Sequence, residues 1–165
     1  KEFIRDFIPV FNTFFNKLST KEENVSIFYE SSLHENYFDA LMRENERRDM
    51  QAQYTVAGIH KDDYSFLMNT YPVKKFCSQG QQKTFLISLK LAHYEYLKNI
   101  KHTKPLLLLD DVFDKLDDTR VEKLTAMVAH KEFGQVFITH TQKYRMEELL
   151  QNVGIPFRLH EITKD

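Results

Sequence analysis

Apolar side chains recur at steps of three and four near the start of the chain, at Phe3, Ile4, Phe7, Ile8, Phe11, Phe14, Phe15 and Leu18. That spacing predicts a helix of about five turns with one buried face. Pro9 inside it predicts a kink or a split, because proline removes a backbone donor and crowds the preceding turn. A polar stretch, Ser19 to Asn24, leads into Val25 to Ser32, whose β-branched and aromatic residues predict a strand. Glu35 to Met50 reads as a charged helix with Tyr37, Phe38, Leu41 and Met42 on one side. Arg43 to Asp49 holds no apolar residue, which marks a solvated end or a projecting arm. Tyr54 to Ile59 and Asp63 to Asn69 predict two strands around the polar turn His60, Lys61, Asp62.

The pattern then changes. Phe85, Leu86, Leu89, Ala92, His93, Tyr96 and Leu97 predict a helix from about Gln82 to Ile100. After Pro105, Leu106 to Leu109 forms a wholly apolar strand of the kind buried on both faces of a parallel sheet. Val121, Leu124, Met127 and Val128 predict another helix, and Gln135 to Thr139 another apolar strand. Tyr144 to Gln151 predicts a last helix stopped by Gly154, and Phe157, Leu159 and Ile162 a closing strand. Helix and buried strand alternate from residue 82 onward, an α/β pattern. No internal repeat or low-complexity linker interrupts the chain.

Composition narrows the chemistry. The 165 residues carry 23 basic and 24 acidic side chains, so a strongly basic, free-standing nucleic-acid module is excluded and any DNA contact needs a local patch. One cysteine, Cys77, permits neither an intramolecular disulfide nor a cysteine-based zinc site, which fits a reducing compartment such as the cytoplasm. The seven histidines contain no HExxH, so metal chemistry is expected to be carboxylate and magnesium. No unbroken apolar run is longer than Leu106 to Leu109, against the roughly 20 residues that span a bilayer. A soluble globular chain without membrane contact is expected. The four glycines, Gly58, Gly80, Gly134 and Gly154, fit neither a dinucleotide fingerprint nor a P-loop. Lys1 in place of Met reads as a cut through a longer protein.

Two motifs carry chemistry. Leu106 to Leu109 ends in Asp110-Asp111, placing two carboxylates at the sheet edge where open α/β folds bind ligands. Successive strand residues point to opposite sides, so the two acids cannot do the same work. In nucleotide hydrolases the first such acid holds magnesium and the next orients or deprotonates water. An ordinary strand end with solvated or capping aspartates has the same sequence. The second motif, Ser78-Gln79-Gly80-Gln81, is a capping box, with Ser78 at N-cap and Gln81 three residues on. Most such boxes only start a helix. A helix N-terminus with a hydroxyl and a glycine is also a ready phosphate site.

Both motifs occur in order, about 30 residues apart with a helix between them, and here the chain resembles the ATP-binding-cassette ATPases, within them the RecF-like DNA-repair proteins. Ser78 to Lys83 resembles the signature motif of that family, Leu106 to Asp111 its Walker B strand, and Val112 to Arg120, with Leu116 and Asp117, its D-loop. Gly58-Ile59-His60-Lys61-Asp62-Asp63 is similar to its Gly-Pro-His-Arg-Asp-Asp segment, with Ile59 and Lys61 departing from it. His140 matches the superfamily's switch histidine, although a lone histidine after a strand is also a common turn residue. Cys77 stands where many cassette ATPases have Leu, Gln79 where they have Gly, and Asp111 where they have Glu.

The resemblance implies an α/β fold, the C-terminal half of an ABC-type head with a mixed or parallel sheet flanked by helices and an N-terminal helical arm. It implies an arm segment with one strand over 1–53 and the head over 54–165. It further implies an ATP- and magnesium-dependent protein of DNA replication and repair. Asp110 would hold magnesium through water, Asp111 and His140 would complete catalysis, and Ser78, Gln79, Gly80 and Gln81 would bind a partner subunit's ATP. The P-loop would lie outside this chain, which alone would hydrolyse no ATP. Expected partners are a second copy, DNA gaps or single-strand/double-strand junctions, and a RecR-type mediator that helps load recombinase at the nucleoid. Basic clusters at Lys98, Lys101, His102 and Lys104, and at Arg43, Arg47 and Arg48, are either DNA contacts or solvated charge. Two alternatives stay open. Another ABC-type chromosome-maintenance head would carry a heptad run before Ser78, and none is present; a non-hydrolysing scaffold of the same fold would bind without turnover.

Overall fold

The first apolar stripe folds as one helix, α1 (Glu2–Leu18), which runs through Pro9 without a break. A mid-helix proline costs about 3 kcal/mol. Burial of Phe7, Phe11, Phe14, Phe15 and Leu18 outweighs that, at roughly 1.5–3 kcal/mol for each side chain removed from water. The structure, a computed structural model, describes residues 2–33, 37–129, 133–154 and 156–162. The chain divides into two compact units, Lys1–Ile8 with Glu23–Cys77, and Pro9–Glu22 with Ser78–Asp165. The boundary expected at 53/54 falls inside the first of them.

In the first unit, β1 (Val25–Glu30) pairs antiparallel with β2 (Asp63–Met68), in register from Val25↔Met68 to Glu30↔Asp63. Asn69 and Thr70 turn the chain with positive φ into the short β3 (Tyr71–Pro72), which leads into α3 (Val73–Phe76). The charged helix is α2 (Phe38–Ala52), which buries Leu41 and ends at Gln53 in the left-handed region. Its expected first residues, Glu35 and Asn36, lie outside the described residues.

The strand expected over Tyr54 to Ile59 does not form. The Val56 N–H is taken by the Asp49 carboxylate at 2.8 Å, and Lys61 N–H returns to the Gly58 carbonyl at 2.9 Å, closing a 3-10 turn over Ile59–Lys61. Those amides are therefore unavailable to a ladder, and β1 and β3 take the two edges of β2 instead.

The second unit contains α4 (Gln79–Lys101), β4 (Leu107–Leu109), α5 (Asp118–Val128), β5 (Val136–Ile138) and α6 (Lys143–Val153). Its core joins the latter part of α1 to α4. The Phe11 ring lies 4.8 Å from Phe85, and both side chains are buried with Phe15, Ile87, Leu91 and Leu124. Tyr94 stacks on Phe133 at 4.9 Å, and its hydroxyl accepts the Gly134 N–H.

Strands β4 and β5 are parallel, pairing Leu107↔Val136, Leu108↔Phe137 and Leu109↔Ile138. Burial of β4 on both faces is corrected: Leu107 and Leu109 are buried, whereas Leu108 is 65% and Leu106 62% exposed. Leu108 shares its exposed face with its register partner Phe137. The closing strand is also absent, and Phe157, Leu159 and Ile162 lie in irregular, exposed chain. The α/β class stands, as an antiparallel and a parallel sheet with helices between their strands. No helix among the described residues is long and apolar enough to cross a membrane.

Candidate nucleotide-binding site

Local chemistry starts α4. Ser78 caps α4: its hydroxyl accepts the Gln81 N–H at 3.2 Å, and the Gln81 side chain accepts the Ser78 N–H at 2.8 Å. The helix therefore begins at Gln79, three residues before its first apolar position suggests. The Gln79 and Gly80 amides have no intrahelical acceptor and point out of the N-terminus, where the helix dipole favours an anion. Gly80 has a further use. A Cβ there would stand 3.2 Å from the Lys115 carbonyl and 3.8 Å from Arg120 Nη1, so the loop after β4 packs directly on the bare backbone.

At the carboxyl end of β4 the two acids are held differently, as strand alternation requires. Thr139, one residue past β5, accepts the Asp111 N–H on its hydroxyl at 3.0 Å and donates that hydroxyl to the Asp110 carboxylate. Its own N–H closes on the Leu109 carbonyl at 3.0 Å. Asp111 has φ 45°, in the left-handed region, and its carbonyl accepts Lys83 Nζ from α4 at 2.9 Å. The Asp111 carboxylate is exposed and unpartnered among the described residues.

The segment that follows is anchored by Val112 and Phe113, both buried. His140 lies edge-on to the Phe113 ring at 5.7 Å, and both its ring nitrogens are buried with no partner among the described residues. Buried polar atoms are almost always satisfied, by ordered water where not by protein, so these ring nitrogens have bonding capacity left for a water or a bound group. Leu116 is half-buried and bonds back to Phe113. Asp117 caps α5, and the Arg120 backbone N–H, followed by its guanidinium, holds the Asp117 carboxyl below the usual carboxylate range.

Among the described residues, no three acidic, histidine or cysteine side chains gather as a metal cage. The fixed Asp110 carboxylate nevertheless fits magnesium, which takes one or two carboxylates and completes its shell with water and phosphate oxygens.

The basic residues divide. Lys98 is paired with Glu95 at 2.9 Å; Lys101, His102 and Lys104 are exposed at and just past the end of α4. Arg43, Arg47 and Arg48 are exposed on α2, in the other unit. The Gly58 turn is also in that unit, where Gly58 has φ 127° and ψ 180°, a conformation almost confined to glycine. Asp62 accepts the Tyr29 hydroxyl there and raises its pKa.

Sequence reasoning assigned no part to Thr139, and none to Lys83 or Arg120 beyond membership of a motif. A hydroxyl at the carboxyl end of the strand parallel to Asp110 was the available signal for Thr139.

No protein-family model matches the chain. DNA replication and repair protein RecF of Flavobacterium johnsoniae is 46% identical over 162 residues, covering 98% of this chain and 45% of that protein. RecF of Bacteroides thetaiotaomicron is 41% identical, covering 98% and 44%. Two solved structures of the recombination mediator protein RecF in the RecFOR pathway, as RecF-ATPrS and RecF-ATP, superpose with TM-scores of 0.65 and 0.66, at 32% and 26% identity. Each covers 86% of this chain, which spans 40% of theirs. The chain thus spans less than half the length of the proteins it matches. In sequence along nearly its whole length, and in fold along most of it, this chain is similar to the corresponding part of RecF.

Proposed function

We propose that the chain supplies the signature, Walker B, D-loop and switch elements of a RecF-type DNA-repair ATPase. The P-loop, which these 165 residues lack, belongs in this reading to the preceding half of the parent protein. One observation carries the proposal: Thr139 gathers Asp110 and Asp111 at one strand end, next to a His140 whose ring nitrogens are buried and unpaired.

Each residue then has a separate task. Asp110, oriented by the Thr139 hydroxyl, would hold magnesium through water. Magnesium, when bound, neutralises developing charge on the phosphate oxygens. Asp111, whose carboxylate is free to accept a proton, orients the attacking water. His140 donates from its buried ring to a terminal phosphate oxygen. Ser78, Gln79, Gly80 and Gln81 present the α4 N-terminus to a partner subunit's nucleotide, and Leu116 and Asp117 line the seam between subunits. ATP closes the dimer and hydrolysis reopens it, so turnover acts as a timer.

Complementation tests the shared site. In full-length protein, Ser78→Arg and Asp111→Asn are each expected to abolish turnover. Mixing them restores it, because the heterodimer keeps one site with an intact signature and an intact acid. Two inactive parents that stay inactive when mixed, although heterodimers form, would count against sites shared between subunits.

DNA contact is the second half of the proposal, supported by the RecF likeness and the exposed Lys101, Lys104, Arg47 and Arg48. Lys101→Ala with Lys104→Ala is expected to weaken binding to gapped duplex and to flatten its salt dependence, the log–log slope falling by about 0.9 for each phosphate no longer neutralised. Lys98→Ala should do less, since Glu95 already neutralises it. Filter binding at several salt concentrations, with and without a RecR-type mediator, reads both the cluster and the partnership. An unchanged slope removes the cluster, and an affinity indifferent to the mediator removes the partner.

A further inference from the structure

The first turns of α4 hold the loop after β4 at two points, and both contacted residues have unusual backbones. Lys83 Nζ donates to the Asp111 carbonyl at 2.9 Å, and Gly80 packs against the Lys115 carbonyl. Asp111 and Lys115 have φ 45° and 62°, a region costly for most residues with a Cβ, although Asp enters it more readily than most. At Asp111 the hold on it is visible. Thr139 takes its N–H and Lys83 takes its C=O, so both polar groups of that residue's main chain are tied. The carboxylate has no tie of its own among the described residues. The backbone sets the Cα–Cβ direction from which that carboxylate extends, and one of its two main-chain bonds comes from α4.

We propose that Lys83 is a positioning residue: through the Asp111 carbonyl, the helix that reads a partner's nucleotide sets the acid that serves the chain's own site. This rests on the function proposed above and adds its regulation. A shift of α4 on engaging phosphate at Ser78 and Gly80 moves Lys83, five residues along the same rigid helix. The Asp111 peptide follows, carrying its carboxylate toward or away from the water it orients. The two nucleotide sites of a dimer are thereby coupled within each subunit, through one ammonium-to-carbonyl bond backed by the packing of Gly80 on Lys115.

The test uses full-length protein carrying Lys83→Met, Lys83→Gln and Lys83→Arg, each checked for an unchanged melting temperature. Two readouts are needed, amide hydrogen exchange over 111–116 without nucleotide, and steady-state turnover with ATP. Both neutral variants are expected to speed exchange in that segment. They should lower kcat by about 10- to 100-fold, the scale of a misplaced catalytic group, with KM and ATP-dependent dimerisation little altered. Lys83→Arg, which keeps a charged donor, should recover most of both. Unchanged exchange in the neutral variants overturns the tie, and faster exchange with normal kcat overturns its role in positioning. Unmodified protein without turnover would instead defeat the underlying ATPase reading, with the exchange result still judging the tie.

Discussion

Asp111→Asn in full-length protein is expected to lower ATP turnover by about 10²- to 10⁴-fold, the usual contribution of a positioned general base. ATP binding and ATP-dependent dimerisation should persist, so the ATP-bound dimer accumulates. The substitution is clean because both ties to Asp111 are made by its main chain, the N–H to Thr139 and the carbonyl to Lys83. Asparagine keeps them and loses only the capacity to take a proton. Asp110→Asn should behave differently. There the side chain itself carries the bond to Thr139 and the proposed magnesium contact, so nucleotide affinity should fall together with turnover. Phosphate release measured beside size-exclusion with ATP distinguishes the two. Full turnover in Asp111→Asn would mean that an acid one methylene shorter than glutamate does not reach the water. Absence of turnover in the unmodified protein would favour the non-hydrolysing scaffold.

Phe11→Ala should cost about 3–5 kcal/mol, the range for truncating a fully buried aromatic. Phe11 is 0% exposed and touches Phe85 of α4 and Phe15 of its own helix, with ring centroids 4.8 Å and 6.1 Å away. Against a typical net stability of about 5–15 kcal/mol, that loss is a large fraction. It also removes the seat of α4, so under the proposed function nucleotide-dependent dimerisation should weaken together with stability. Phe3, 40% exposed, serves as the comparison and should cost far less when truncated. Urea titrations read the difference as a shift in midpoint at constant slope. A loss below about 1 kcal/mol at Phe11 would show that the site collapses to refill the space.

What could be read from the chain was local. The α1 stripe, the Ser78–Gln81 capping box, the helices between and after the strands, and Gly154 past α6 depend on residues a few positions apart, and all of them form. Asp110 and Asp111 could be placed at a strand end because an apolar run followed by acids has few other solutions in a parallel sheet. Alternation alone then assigned them different partners.

Errors arose where the deciding partner was distant or where burial depended on a covering layer. Tyr54 to Ile59 has a strand's composition, but Asp49 takes one of its amides and Gly58 closes the turn. Leu106 and Leu108 look like core, but no layer among the described residues packs fully over that side of β4, and they stay 62% and 65% exposed.

The sequence by itself determined the helical periods, the caps and the order of the motifs, because each is set by bonds that close within about one turn. Only the tertiary structure decided that Thr139 and Lys83, each 28 residues from Asp111, grip its backbone from two sides. Hydrogen-bond partners at that separation are chosen by the packing of α4 and β5 around β4, and no short-range pattern encodes the choice.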